Sequence, residues 1–235
     1  MADFVYEITC SGGAGQGSAV QAWADRDAVP LWAALPGLTA VDLYQPMRDG
    51  THDPFNNDGP GPLLMAMLQF LTQHQLEAGL ADPRFKTSVA NRPANIATTG
   101  TSFERRFYPV GSVKDAEPKL RAPFSYVVRY HYPAQNPEEF VSHYVADHPP
   151  ILGKLPEIRS VLCYLPVAQT ASGVLPPADY MVGNEVVFDS PEAFNAAMAS
   201  PVRLELRTHF RNFPPFTGKN THYPMMRRQV PGRTG

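Results

Sequence analysis

The sequence predicts an α+β fold of two tandem β-α-β-β-α-β halves, residues 1–115 and 122–230, packed sheet to sheet. Three observations carry this. Residues 21–46 align with 141–166 without a gap at seven identities in 26 positions: Asp27 with Asp147, Pro30 with Pro150, Leu35-Pro36 with Leu155-Pro156, Val41 with Val161, Tyr44 with Tyr164 and Pro46 with Pro166. The same offset pairs Phe4 with Phe124 and Tyr6 with Tyr126, and a two-residue slip pairs Phe70 with Phe188, so the chain reads as two copies of one supersecondary unit. The third is size: 235 residues suit two modest units, each able to bury a core.

The elements follow in order. β-Branched and aromatic runs make strands of Phe4–Cys10 and Phe124–Tyr132, each followed by a polar break and a segment of helical period. In the second copy Asn136 caps, Pro137 takes the first helical position, Glu139 completes a capping box, and Phe140, Tyr144, Ile151 and Leu155 give an apolar side. Pro149-Pro150 should kink or restart that helix beside His148. Strands come next at Leu38–Pro46 and Ile158–Val167, then at Leu63–Leu71 and Tyr180–Phe188 after Gly- and Pro-rich connections. Short helices at Thr72–Ala81 and Ser190–Ala199 and last strands at Ser102–Pro109 and Thr221–Arg228 complete two ferredoxin-like units. Residues 200–216 read as an extra segment of the second half, helical from Pro201 to Phe210, acting as lid or brace, and a linker is expected at about 111–123.

A ferredoxin-like half leaves one sheet face bare, on the order of 400 Å², so the two bare faces should meet as an eight-stranded barrel-like sandwich filled by side chains or by one small ligand. Alternation sends Phe4, Tyr6, Ile8, Phe124, Tyr126 and Val128 toward the helices and Glu7, Thr9 and Arg129 inward. The inward set is expected to line a ligand cavity; the competing reading is a buried ion pair or a solvated edge.

Composition narrows the function. A net charge of −2 with no basic run argues against nucleic acid. No stretch approaches about 18 uninterrupted apolar residues, and the N-terminal segment lacks the pattern of a leader, so a cytoplasmic chain without a membrane partner is expected. Cys10 and Cys163 do not correspond across the repeat and read as small buried hydrophobes. The oxygen-rich loop 49–59 lacks the ligand positions of an EF-hand and reads as a polar connection overhanging the cavity mouth. Gly12 to Gly17 fits no phosphate-binding fingerprint and reads as a flexible connection.

The chemistry-bearing residues are His143, Asp147 and His148. His143 and Asp147 lie one helical turn apart, and an imidazole beside a carboxylate can accept and return a proton near neutral pH. The structural alternative has Asp147 capping the restarted helix, as Asp27 would, and His143 packing where Trp23 packs. His143 and His148 lack the spacing of a helical metal pair, so no metal and no cofactor are expected. His74, His209 and His222 show no partner in the sequence and read as surface or internally satisfied histidines.

The run Pro137-Glu138-Glu139-Phe140, His143-Tyr144, His148-Pro149-Pro150 and Leu155-Pro156, with Tyr164 and Phe216-Thr217-Gly218 downstream, resembles the EthD-like family of the dimeric α/β-barrel superfamily, here as a fused tandem. In the first copy Trp23 and Ala28 replace both histidines. The resemblance implies an apolar pocket for a small aromatic or polyketide-like metabolite and cofactor-free lyase, cyclase or isomerase chemistry. His148 would be the acid/base group, assisted by His143 and Asp147, with Tyr126, Tyr144, Tyr164, Arg129, Glu7 and Thr9 around the substrate. Related barrels include monooxygenases and haem binders, and a non-catalytic metabolite-binding or accessory protein is the alternative function. Helix faces and free sheet edges point to a homodimer.

Overall fold

The computed structural model describes residues 2–47, 49–56, 58–59, 61–110, 122–168 and 174–233. Most of the expected linker therefore lies outside the described residues. The first half comprises β1 (Ala2–Ser11), α1 (Gly17–Trp23), a π-turn at Ala24–Ala28, α2 (Val29–Trp32), β2 (Leu38–Pro46), β3 (Leu64–Phe70), α3 (Gln73–Ala81), α4 (Pro83–Ala90) and β4 (Ala97–Tyr108). The second comprises β5 (Phe124–His131), α5 (Pro137–Leu152), β6 (Ser160–Pro166), β7 (Tyr180–Phe188), α6 (Pro191–Met198), α7 (Pro201–Arg211) and β8 (Asn220–Pro231). Among the described residues no helix is long and apolar enough to cross a membrane.

The eight strands close into one antiparallel barrel in the order β1-β3-β2-β8-β5-β7-β6-β4. Within each half the order is that of a ferredoxin-like sheet, and the halves join twice, β2 to β8 and β4 to β6. This is the dimeric α/β-barrel architecture within a single chain. Closure uses every strand edge of the sheet, so edge pairing is no longer a route to self-association and the helix faces remain.

Strand alternation divides the cores as expected. Tyr6 and Ile8 pack under the first half's helices and Tyr126, Val128 and Tyr130 under the second's, while Val5, Val127, Met65, Met67, Phe103 and Met225 fill the barrel. The inward polar set corrects one expectation. Glu7 and Arg129 are fully buried and form an ion pair instead of lining a ligand cavity. An eight-stranded barrel is about wide enough for side chains alone, and here large ones occupy it. The Arg129 guanidinium bonds Glu7 through Nε at 3.0 Å and the Val128 carbonyl at 2.8 Å, and lies 4.4 Å from the Tyr164 ring centroid. Burial opposes its charge, and the Glu7 carboxylate together with Tyr164 and Tyr180 outweighs burial. Opposite Arg129 stands Gly183, where a Cβ would come within 2.6 Å of the guanidinium. Thr9 donates to Glu7 at 3.2 Å, and the Tyr164 hydroxyl donates to buried Glu185. Thr9 and Tyr164 thus serve this interior as well.

Three further expectations change. The helix carrying the histidines runs unbroken through Pro149-Pro150. The prolines release carbonyls one turn back; that of Val145 accepts from the Tyr108 hydroxyl at 3.4 Å, and Ala146 is exposed. Asp147 accordingly lies inside α5 and caps nothing. The segment after residue 200 is no unique addition, since α4 occupies the same place in the first half as α7 in the second. Gly12 to Gly17 leads through a short 3₁₀ turn directly into α1.

The first half's counterpart of the histidine region is plugged. Trp23 and Trp32 meet edge to face at 5.7 Å, and their indole N–H groups donate to the Ser88 carbonyl at 3.0 Å and the Ser88 hydroxyl at 2.7 Å. Replacing Ser88 with Ala leaves the Trp32 N–H buried and unpaired. The expected loss is about 1–3 kcal/mol, read as a lowered urea midpoint.

Candidate functional site

The second half's sheet carries a hollow on its helix-covered face. Tyr126, Val128, Tyr130, Asn184 and Val186 form its floor, His148 and Leu152 of α5 one wall, and Arg203, Leu206, Arg207 and Phe210 of α7 another. Its free volume is about 60 Å³. It shares Asp53, Asn56, Tyr126 and His222 with an adjoining polar cleft of about 340 Å³. Together they reach the lower range of small-ligand sites, about 300–1,000 Å³.

Asp53 and Asn56, from the first half's oxygen-rich loop, also line the hollow. The Asp53 carboxylate accepts from the Tyr126 hydroxyl at 2.7 Å and Arg203 Nη2 at 2.8 Å. Burial pushes the Asp53 carboxyl up, but Arg203 and the hydrogen bonds to it outweigh burial and hold it below the usual range. Phe55 on the same loop lies under Arg203 and Arg207, 4.9 and 5.3 Å from their guanidinium carbons.

His148 is buried at the inner wall. Its Nδ1 shares a hydrogen bond with Nδ1 of His209 on α7 at 3.2 Å, and among the described residues no hydrogen bond engages its Nε2. Burial, helped by His209, Arg203, His143 and His222, lowers its pKa to about 3, so the ring is neutral at physiological pH. His209 was not singled out by sequence reasoning, yet it joins all three residues that were. Its ring stacks parallel to His143 at 5.2 Å, and His143 Nδ1 lies 3.4 Å from Asp147 Oδ2. His222, likewise unassigned, is held by Asp58 at 2.8 Å and faces Tyr126.

The structure therefore brings His143, Asp147 and His148 together with His209, and places Tyr126 in the hollow. Tyr144 lies behind the wall, its ring 4.9 Å from His148 and its hydroxyl accepting from the Asn184 amide. Glu7, Thr9, Arg129 and Tyr164 belong to the barrel interior, on the opposite face of the sheet.

Neutral, buried His148 makes a pH prediction. Its folded pKa lies below the unfolded value, so as pH falls the unfolded chain takes up the proton first. Stability is complete above about pH 6.5 and declines toward pH 3, by roughly 1.4 kcal/mol per unit at the steepest. His209 and His131 are shifted the same way, both first by burial. Urea midpoints should fall from pH 7.5 to pH 5, and His148→Phe should flatten that dependence.

Residues 132–213 match the EthD domain. The match includes α5, α6 and α7 and every member of the histidine cluster. Solved structures extend the likeness over both halves. An anthrone oxidase-like protein superposes with a TM-score of 0.61 at 12% identity, over 98% of this chain and 93% of its own. The "putative monooxygenase from Lactobacillus acidophilus NCFM" gives 0.53 at 8% identity over 98% and 96%, and a "putative chlorite dismutase" 0.51 at 12% over 99% and 96%. At these identities the shared property is the fold, which hosts different chemistries. Among curated proteins no sequence matches this chain.

Proposed function

We propose that the chain is an enzyme whose EthD half binds a small hydrophobic, aromatic or polyketide-like metabolite in the hollow and adjoining cleft and moves protons with His148. The observation that supports this most is a buried neutral imidazole at the wall of a largely apolar pocket, one nitrogen held by His209 and the other unengaged. In the tautomer where His148 Nδ1–H donates to His209, Nε2 carries a lone pair and acts as general base toward an acidic C–H or hydroxyl. A ring so hard to protonate is a weak base, so the proton must move to it in concert with stabilisation of the substrate anion. Arg203, on the α7 wall of the hollow, is the cation placed for that. Returning the proton elsewhere on the substrate gives isomerisation, cyclisation or elimination.

The names of the structural neighbours favour a second reading, in which the substrate anion is oxidised by dioxygen. Oxygen consumption that tracks product would select it over proton transfer alone. Native mass spectrometry of gently purified protein tests the substrate class. A retained aromatic or polyketide-like molecule supports the proposal, and a retained haem replaces it. The same spectrum reports assembly, for which we expect a homodimer through helix faces.

A further inference from the structure

Outside the hollow, on the far side of His209, three ligating side chains converge. His143 and Asp147 lie one turn apart on α5 and His209 reaches them from α7, with one ligand atom from each within 4.8 Å of the others. We propose that His143, Asp147 and His209 form a site for a divalent first-row transition cation, beside His148 and not including it. Two imidazoles and a carboxylate are borderline ligands suited to such ions, and three protein ligands leave open positions for water.

The geometry is close to assembled. Metal–ligand bonds of about 2.1 Å at a tetrahedral ion separate neighbouring ligand atoms by roughly 3.4 Å. His143 Nδ1 and Asp147 Oδ2 are already 3.4 Å apart. The remaining contraction falls on side chains with room to turn, since His143 is 32% and Asp147 55% exposed.

The second ring nitrogen of His209 supplies an independent argument. Ligating histidines commonly donate their other N–H to a neighbouring acceptor, which fixes tautomer and orientation. His209 Nδ1 is hydrogen-bonded to His148 Nδ1 at 3.2 Å, leaving Nε2 for the ion. Coordination through Nε2 forces the Nδ1 proton toward His148, whose own proton then sits on Nε2 at the pocket. Cation occupancy would thus set whether His148 presents a lone pair or an N–H to a substrate. The sequence hides this site because its ligands come from two helices, α5 and α7, while His143 and His148 on the one helix lack metal-pair spacing.

Cobalt(II) titration of the full, untagged chain after chelator treatment tests the site. Visible d–d absorption saturating at one equivalent is expected, displaced by zinc. His143→Ala and Asp147→Asn should each weaken binding at least tenfold, while exposed His74→Ala changes nothing; unchanged circular dichroism certifies the folds. Absence of saturable binding, or binding indifferent to both ligand variants, overturns the site. Neither result bears on ligand binding in the hollow, which is measured separately with metal-free protein.

Discussion

Replacing His148 with Ala should lower turnover of the substrate by about 10²–10⁴-fold with the fold intact. The ring is buried against Tyr144 and Phe213, so its loss also creates a cavity. His148→Gln keeps most of the volume and a polar end but cannot relay a proton. Thus kcat should collapse in both variants, while affinity for a bound substrate analogue changes less than tenfold. His209→Ala should fall between wild type and these variants, because it orients His148 without touching the substrate. Near-normal turnover in the Gln variant would remove His148 from the chemistry and assign the proton transfer to another group of the pocket.

The second large effect is on stability. Removing one partner of the Glu7–Arg129 pair leaves a charge unpaired in the barrel interior, where the rings of Phe103, Tyr164 and Tyr180 lie beside the guanidinium. Glu7→Ala or Arg129→Ala should cost about 3–5 kcal/mol, which lowers Tm by roughly 6–20 °C in a chain of this size. Replacing both by apolar residues of similar volume should cost less than either single change, because no charge is then stranded. Differential scanning calorimetry on the three variants checks this ordering. Ligand affinity should be unchanged in whichever variants remain folded at the assay temperature, since the pair lies across the sheet from the hollow.

The architecture was legible in the sequence because it rests on local signals. Period-two alternation in β1 and β5 assigned Tyr6 and Tyr126 to the helix side and Glu7 and Arg129 to the inner side, and the Asn136 cap with Pro137 marked the start of α5. What alternation cannot tell is what meets the inner face. Whether Glu7 and Arg129 faced a ligand or each other depended on how much volume Met65, Met67, Phe103 and Met225 would take up. The helix through Pro149-Pro150 broke a local rule because a tertiary partner, Tyr108, accepts the freed task of satisfying Val145. His209 stayed hidden for a similar reason: it is 61 residues from His148 and meets it only because α7 packs along α5. The one available signal was the helical reading of Pro201 to Phe210, which put His209 on a helix without showing its neighbour. Trp23 and Ala28 were the opposite case, since their substitution for the histidines announced in advance that the two halves would differ.

In the proposed function one face of one half holds the working site. A crystal structure of the protein with a bound aromatic ligand or retained metabolite tests it most directly. Density is expected against His148, Tyr126 and Arg203, between the second sheet and α5 and α7, reaching past Asp53 into the adjoining cleft. Density in the barrel beside Glu7 and Arg129, or beside Trp23 and Trp32 in the first half, would contradict it.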